Sequence, residues 1–193
     1  MSKANFMKLV KEDRLGDLTA TGRVRFPGIV AKPPGVGISG GTGTVVKSCV
    51  ERKGGIIKTT ILINITGLGS STTDGDIIGK AGGNAAITEI TAAINGTIVG
   101  GTMTCLIAPT TGVTDINVYK AAEGTATEAF DYAISSATET IILDRAAAWT
   151  VGDIKPFTAF PDATKPFVYL TNGAAGTVGD YATGTFLIEL IGI

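Results

Sequence analysis

The chain has 193 residues, of which 44% are hydrophobic and 17% are charged, with a net charge of −1 and no histidine. This length and hydrophobic content indicate a globular protein with one domain, or one domain and an arm, and exclude a disordered chain. The small net charge argues against a nucleic-acid-binding protein, and the absence of histidine excludes serine–histidine and cysteine–histidine catalysis and histidine metal sites.

Residues 1–43 are predicted to form an extended basic arm. Residues 1–40 hold seven basic and three acidic residues, a net charge of +4, so the remainder carries −5. The first 20 residues fit one short amphipathic helical turn, which is too short to be stable alone. Proline and glycine disfavour regular structure from residue 21 to 43. This charge distribution is typical of an interaction arm, and the alternative is a solvated basic tail without a partner.

The end of the predicted arm contains a glycine motif in the stretch "KPPGVGISGGTGTVV". Gly35, Gly37 and Gly40 fit the G-x-G-x-x-G pattern of dinucleotide-binding loops. A true loop of that kind follows a buried strand and opens a helix that faces the pyrophosphate. Here Pro33-Pro34 precedes the glycines, and a β-branched run follows them. The sequence therefore predicts no bound cofactor and a flexible joint between arm and body.

Residues 44–193 are predicted to form a β body. The runs "TVVKSCVER" and "GIIKTTILINIT" read as strands, and the glycine turn between them indicates a hairpin. In the second run Ile61 and Ile63 share one face, while Thr60 and Leu62 share the other. Asn95-Gly96 lies between two further β-prone runs and predicts a second hairpin with a type I′ turn.

Four more strands are expected, at 115–120, 138–143, 166–171 and 184–193. Segment 121–136 is compatible with either a short helix or a long loop. Strand-rich segments without alternating helices indicate an antiparallel fold. The predicted fold class is thus mainly β, with an antiparallel β-sandwich or jelly-roll-like body and an extended N-terminal arm.

Nothing in the sequence assembles a catalytic or metal site. Asp74-Gly75-Asp76 is the closest acidic pair, but it lacks the oxygen ligands of a calcium loop, and Asp-Gly favours a tight turn. A carboxylate-dependent glycan hydrolase, using Asp74, Asp76, Glu123 and Glu128, is the enzymatic alternative. The single tryptophan, Trp149, offers little for a sugar-binding platform.

The two cysteines, Cys49 and Cys105, fall in separate predicted strands. We expect free thiols on two buried residues, with a redox or disulfide pair as the alternative. The N-terminus has no apolar signal-peptide core, and no run approaches the length of a membrane span. Synthesis in the cytoplasm, without membrane insertion, is therefore expected.

Several longer stretches carry a family resemblance. They are "GTGTVVKSCVERKGGIIKTTILINITGL", "DIIG", "ITAAINGTIVGGTMTCLIAP", "EGTATEAFDYA" and "DYATGTFLIELIGI". From Gly41 to the C-terminus the chain resembles a family of virion structural proteins of tailed bacteriophages, common in marine and cyanobacterial phages, whose members are of the capsid decoration or cement type. These stretches contain no catalytic residues.

The resemblance implies a non-enzymatic protein that binds the major capsid protein on the outer shell where subunits meet, opposing the pressure of packaged DNA. It also implies a homo-oligomer, often a trimer, located at the capsid surface of the virion. The arm then supplies the predicted capsid contacts, which are Phe6, Arg14, Arg23, Arg25, Phe26 and Lys32. The alternative function is that of a binding module, a tail-fibre or receptor-binding β-domain that recognises host glycans.

Overall fold

The computed structural model describes residues 17–18, 24–25, 31–174 and 178–193. Among these described residues strands hold 43% and helices 7%, and every strand pairing is antiparallel. The strands are β1 Asp17–Leu18, β2 Val24–Arg25, β3 Val45–Lys53, β4 Ile56–Asn64, β5 Gly69–Ser70, β6 Thr88–Glu89, β7 Ile98–Thr110, β8 Asn117–Ala121, β9 Glu139–Leu143, β10 Ile154–Pro156, β11 Phe167–Thr171, β12 Gly179–Asp180 and β13 Thr183–Gly192. The helical turns are α1 Val36–Ser39, α2 Ala92–Asn95 and the 3₁₀ turn Ile134–Ser136.

The largest layer is a five-stranded sheet in the order β10-β7-β13-β4-β3. Its central strands alternate strictly between buried and half-exposed residues along β4 and β13. Successive side chains of a strand point to opposite faces, so one face of this sheet lies on the core and the other points outward. The alternation predicted for Ile61 and Ile63 against Thr60 and Leu62 is confirmed.

The β3–β4 hairpin is also confirmed. Lys53 pairs directly with Ile56, which leaves a two-residue turn of Gly54 and Gly55. Both glycines have positive φ, +59° and +84°. A type I′ turn requires this conformation at both central positions, and glycine adopts it without strain.

A second sheet, in the order β6-β11-β8-β9, shares one hydrophobic core with the first. Core residues from both sheets include Ile61, Ile63, Met103, Phe186 and Ile188 on one side and Val118, Ile142, Val168 and Leu170 on the other. The buried Trp149 ring meets Phe186 edge-on, with ring centroids 5.4 Å apart. Its indole N–H donates to the main-chain oxygen of Ile116 at 2.9 Å. Two sheets over one core are the arrangement of a β-sandwich.

The mainly β, antiparallel fold is therefore confirmed, and the four later strands lie close to their predicted positions. Segment 121–136 is a loop of turns that ends in the 3₁₀ turn. A jelly-roll connectivity and an extended N-terminal arm stay predictions, as does the division at residue 43. Within the described residues, none of the helices has the length and apolar character needed to cross a bilayer.

The predicted Asn95-Gly96 hairpin is wrong. Residues 92–95 form the helical turn α2, and Gly96 ends it with a φ of +70°. The Asn95 side chain is buried, where it accepts from the Thr91 N–H at 2.9 Å and donates to the Thr59 hydroxyl at 2.8 Å. Gly96 does have the positive φ that the sequence predicts, but it ends a helical turn and does not form a hairpin. The buried hydrogen bonds of Asn95 stabilise that helical turn.

The flexible joint predicted at the glycine motif is also wrong. Residues 31–37, here called the strap, run alongside residues 84–88. The Gly35 N–H donates to Ala86 O and the Gly37 N–H to Asn84 O, each at 2.8 Å, and the Thr88 hydroxyl donates to the strap's main chain at 3.1 Å. The strap therefore lies against the segment that contains β6, on the edge of the second sheet.

Close backbone approach explains the strap glycines. A Cβ at Gly35 would lie 2.0 Å from Asn84 O, and one at Gly37 would lie 2.4 Å from Gly83 O. Gly37 also belongs to α1, a helical turn that the sequence did not predict, which places Ile38 in the core without solvent exposure. Glycine is required here because the strap packs closely against a neighbouring segment. Neither a hinge nor a bound nucleotide is needed to explain these glycines.

Candidate interaction surface

Most of the predicted contact residues lie outside the described residues: Phe6, Arg14, Arg23 and Phe26. Arg25 belongs to β2, and its backbone pairs with Asp17 of β1. The structure describes the side chain of one predicted contact residue, Lys32 of the strap. That side chain is 45% exposed, and its ammonium nitrogen lies 3.5 Å from a carboxylate oxygen of Glu89.

A cleft adjoins the strap where the predicted arm meets the body. It has a volume of about 410 Å³, and Lys32, Pro33, Asn84 and Phe167 contribute to its lining. The Asn84 amide is already occupied, since its nitrogen donates to Gly124 O at 2.7 Å and its oxygen accepts from the Ala86 N–H at 2.8 Å. The Asn84 side chain therefore holds the neighbouring loop in place, and its main-chain oxygen holds the strap through the Gly37 N–H.

The carboxylates considered for catalysis are held by local hydrogen bonds. Asp76 is buried and accepts from the Ser71 hydroxyl at 2.7 Å. Glu128 is buried and accepts from both the N–H and the hydroxyl of Thr125, at 2.7 and 2.8 Å. The turn predicted at Asp74-Gly75-Asp76 is confirmed, because the central glycine has a φ of +80°. These contacts are those of turn-forming and loop-fixing residues.

Glu123 is the third such carboxylate. It accepts from the Thr138 hydroxyl and N–H, both at 2.8 Å, and these bonds lower the pKa of its carboxyl below the usual value. In the part of the chain that the structure describes, no group of three or more cysteine, aspartate or glutamate side chains is placed to hold a metal ion. The Glu123 carboxylate is thus tied to the loop residue Thr138.

The two thiols are free, and they lie in different surroundings. Cys105 is buried on β7, and burial raises the pKa of its thiol. Cys49 lies on β3 and is exposed, so the prediction of two buried cysteines is correct for Cys105 and wrong for Cys49. The physical reason is that Cys49 points to the outward side of its sheet, opposite Thr60, on a strand that forms the border. β13 and β4 separate β7 from β3, so the two thiols do not meet.

The sheet with the most strands among the described residues has an outward side, here called the outer sheet face. The strand registers place on it Lys47, Cys49 and Glu51 of β3, Lys58, Thr60, Leu62 and Asn64 of β4, Thr185, Leu187, Glu189 and Ile191 of β13, Thr102 and Thr104 of β7, and Ile154 of β10. Four of these residues are threonines, four are aliphatic and four are charged, and the charged ones lie on β3, β4 and β13.

The aliphatic side chains on this face form a row across the sheet. Ile154 is opposite Thr104, Thr104 is opposite Leu187, and Leu187 is opposite Leu62. Ile154 is 62% exposed, and Leu62 and Leu187 are half-exposed, so none of the described residues covers this row. A mixed threonine and aliphatic surface costs little to desolvate, which suits it to contact with another protein.

Charges on the outer sheet face cluster toward β3. Lys58 forms an ion pair with Glu189 on the neighbouring strand, and this carboxylate raises the pKa of the Lys58 ammonium. Glu51 pairs directly with Lys58 across the β3–β4 ladder. The sign of charge therefore alternates from Glu189 through Lys58 to Glu51 as the sheet approaches its border.

The alternation that creates this face follows from the sequence, but the face does not stand out in the sequence as a site. The part of the sequence that indicates this face is the run "GIIKTTILINIT". Its outward positions alternate with buried isoleucines and include Lys58, Thr60 and Leu62. An outward leucine in an otherwise polar set can be read from one strand. The row across four strands can be read only after the strand order is known.

Comparison with known proteins identifies no relative: no family model, no curated protein and no solved structure matches the chain.

Proposed function

We propose that this protein is a non-enzymatic structural component of a tailed-bacteriophage virion, a decoration or cement protein that binds the outer capsid shell where subunits meet. Its role is to stabilise the shell against the pressure of packaged DNA. The single observation that supports the proposal best is the outer sheet face, whose half-exposed threonine and aliphatic side chains no other described residue covers. The sequence resemblance to virion structural proteins points in the same direction.

The chemistry of this face fits a shell contact. Leu62, Leu187 and Ile154 offer apolar area that is lost to solvent when a partner covers it, and Thr60 and Thr104 offer hydroxyl groups for hydrogen bonds at little desolvation cost. A cement protein makes the same contact many times over the shell, so a modest affinity at each site is sufficient when copies are joined into a homo-oligomer such as a trimer.

The basic arm is proposed to add a second contact. Residues 1–40 carry a net charge of +4 against −5 in the remainder, and Lys32, near the start of the strap, is exposed enough to face an acidic capsid surface. Ordering an arm on binding costs conformational entropy, so its contribution comes from charge and added area together.

The direct experiment mixes the purified protein with undecorated capsids and measures the bound fraction by sedimentation. Replacing the half-exposed Leu187 by Asp puts a charge in the centre of the outer sheet face, and we expect at least a tenfold loss of capsid affinity. The matched control is Val178→Asp, which adds the same charge at a 64% exposed residue outside the five-stranded sheet. Equal binding by both variants would remove the outer sheet face from the contact.

The arm is tested in the full chain by reversing three charges, Arg14→Glu, Arg23→Glu and Arg25→Glu. We expect weaker capsid binding and a shallower dependence of affinity on salt, because charged contacts between exposed groups are screened. A deletion should stop before residue 31, since the strap and Ile38 are packed into the body. Unchanged binding and salt dependence in the reversed variant would exclude the arm from the contact.

The position of the protein in the virion distinguishes the proposed function from the alternative, a tail-fibre or receptor-binding domain. Gold-labelled antibody should mark the shell under the proposed function. Labelling confined to the tail or fibre tips would contradict it.

A further inference from the structure

Strand β3 forms one border of the five-stranded sheet and, among the described residues, pairs only with β4. It is nine residues long, whereas the strand at the other border, β10, has three. Eight of the nine residues of β3 are exposed or half-exposed. A long border strand with open backbone groups is a template for pairing with another strand.

The hairpin turn determines which backbone groups of β3 face the border. A two-residue turn makes Lys53 and Ile56 a hydrogen-bonded pair, and bonding to β4 then recurs at every second residue. The residues whose N–H and C=O groups point away from β4 are therefore Val46, Ser48, Val50 and Arg52. Ala31 and Ile57 cover the Val50 side chain from the core side, while Ser48 and Cys49 remain exposed.

The sequence of β3 complements itself when two copies run antiparallel. With a two-fold axis at Cys49, all four border-facing residues find hydrogen-bonding partners, and Cys49 lies opposite Cys49 of the partner subunit. Lys47 then lies opposite Glu51 of the partner subunit, and Glu51 lies opposite Lys47 of the partner subunit. Opposite charges directly across two strands stabilise their pairing.

The other registers that preserve the hydrogen bonds are less favourable. A shift of two residues in one direction places Lys47 opposite Lys53 of the partner subunit, which is a repulsive pair. A shift in the other direction places Lys47 opposite the partner's Cys49, and both ion pairs are lost. The charges of β3 therefore select one register for pairing between two copies. Its lysines also disfavour pairing with an unrelated apolar strand.

The same register continues the charge alternation of the outer sheet face. Within one chain the order is Glu189, Lys58 and Glu51, and the next position across the border is occupied by Lys47 of the partner subunit. Neither Lys47 nor Glu51 has a salt bridge to any other described residue. Pairing thus gives Lys47 an oppositely charged neighbour and gives Glu51 a second one beside Lys58.

We propose that two copies of this chain associate through antiparallel pairing of their β3 strands about a two-fold axis at Cys49, which joins their five-stranded sheets into one of ten strands. The contact is isologous, because each copy contributes the same surface. It goes beyond the proposed function and does not depend on it. If the protein is a trimer, this contact links copies of neighbouring trimers, since a three-fold axis uses a different surface.

Cys49 reports on this contact directly. Residues opposite each other in a pair without hydrogen bonds have Cα atoms about 4.5 Å apart, within the range of a disulfide. The full-length protein is treated with diamide, which takes two electrons and two protons from the two thiols and is itself reduced to the hydrazine. We expect a disulfide-linked dimer on a non-reducing gel, and none for Cys49→Ser, while Cys105→Ser should behave like the wild type.

Charge reversal tests the register. Lys47→Glu places two acidic pairs across the contact, and Glu51→Lys places two basic pairs, so each variant should form the dimer at least fivefold more slowly. The double variant Lys47→Glu, Glu51→Lys restores opposite charges and should cross-link within twofold of the wild-type rate. For the wild type and each variant, circular dichroism checks that the protein is folded. Reaction with a small maleimide measures how accessible the Cys49 thiol is to reagent.

Two results would overturn the proposal. If the maleimide labels Cys49 quickly but diamide gives no dimer, the β3 borders of two copies do not meet. If Cys49 resists labelling in a folded monomer, another part of the same chain, such as residues 1–30, covers the border. Dimer formation with equal rates for the wild type and both single variants would overturn the register.

Discussion

Replacing Gly35 by Ala tests whether the strap is a packed part of the body. A Cβ at this position would lie 2.0 Å from Asn84 O and 2.7 Å from its carbonyl carbon, where ordinary contact begins near 3.4 Å. Both obstacles are main-chain atoms of a neighbouring segment, so a rotamer change cannot relieve the overlap. The strap must move away by more than an ångström.

The expected loss follows from what holds the strap. Two main-chain hydrogen bonds, from Gly35 and Gly37, contribute about 1 kcal/mol each. If the displacement also withdraws the fully buried Ile38 side chain, about 2 kcal/mol more is lost. We therefore expect the free energy of unfolding to fall by about 2 kcal/mol with local displacement and about 4 kcal/mol with loss of Ile38 from the core.

Urea unfolding followed by the fluorescence of the buried Trp149 measures this change. The matched control is Gly100→Ala in β7, where a Cβ would make only ordinary contacts at 3.7 Å and beyond with Ile191. That variant should change the free energy by less than about 0.5 kcal/mol. If Gly35→Ala is equally neutral, the strap is not docked, and the flexible joint that the sequence predicts would be correct after all.

Three further predictions concern single side chains. Asp162 accepts from Lys120 at 2.6 Å, and this bond is the main cause of its pKa falling below the usual value. The resulting stability is present above pH 4 and is lost as pH falls through the lower folded-state pKa. Asp162→Asn should therefore cost about 1 kcal/mol at pH 7 and progressively less as the pH falls below 4 in acid-unfolding curves. Tyr181→Phe removes a hydroxyl that donates to a buried main-chain oxygen at 2.9 Å, and should lower the free energy of unfolding in urea by about 1–2 kcal/mol with no change of fold by circular dichroism. Under reducing conditions Cys49 should react with a maleimide within minutes, and Cys105 should react only on unfolding. Mass spectrometry of the labelled protein measures both rates. Equal rates would contradict the placement of β3 at the border.

The parts of the fold that follow from local pattern were predictable. Alternation in β4 indicates one buried and one outward face, because successive side chains of a strand point to opposite sides. The turn at Gly54 and Gly55 was predictable because positive φ at two adjacent residues is a local requirement that glycine meets. These signals need no knowledge of the partner strands.

The parts that failed depend on contacts between distant segments. Proline and glycine look the same in a free joint and in a docked strap, and Gly35 is explained only by the approach of Asn84. Asn95 belongs to a helical turn because its side chain bonds Thr59, which is 36 residues away. The exposure of Cys49 follows from the strand order, which alternation does not reveal.

The measurement that tests the proposed function most directly is the number of copies of this protein in purified virions, relative to the major capsid protein. Quantitative mass spectrometry with labelled reference peptides provides it. A shell-binding decoration protein should be present in hundreds of copies per particle, in a fixed ratio to the capsid subunits. A count of a dozen or fewer, or absence from the particle, would contradict the account.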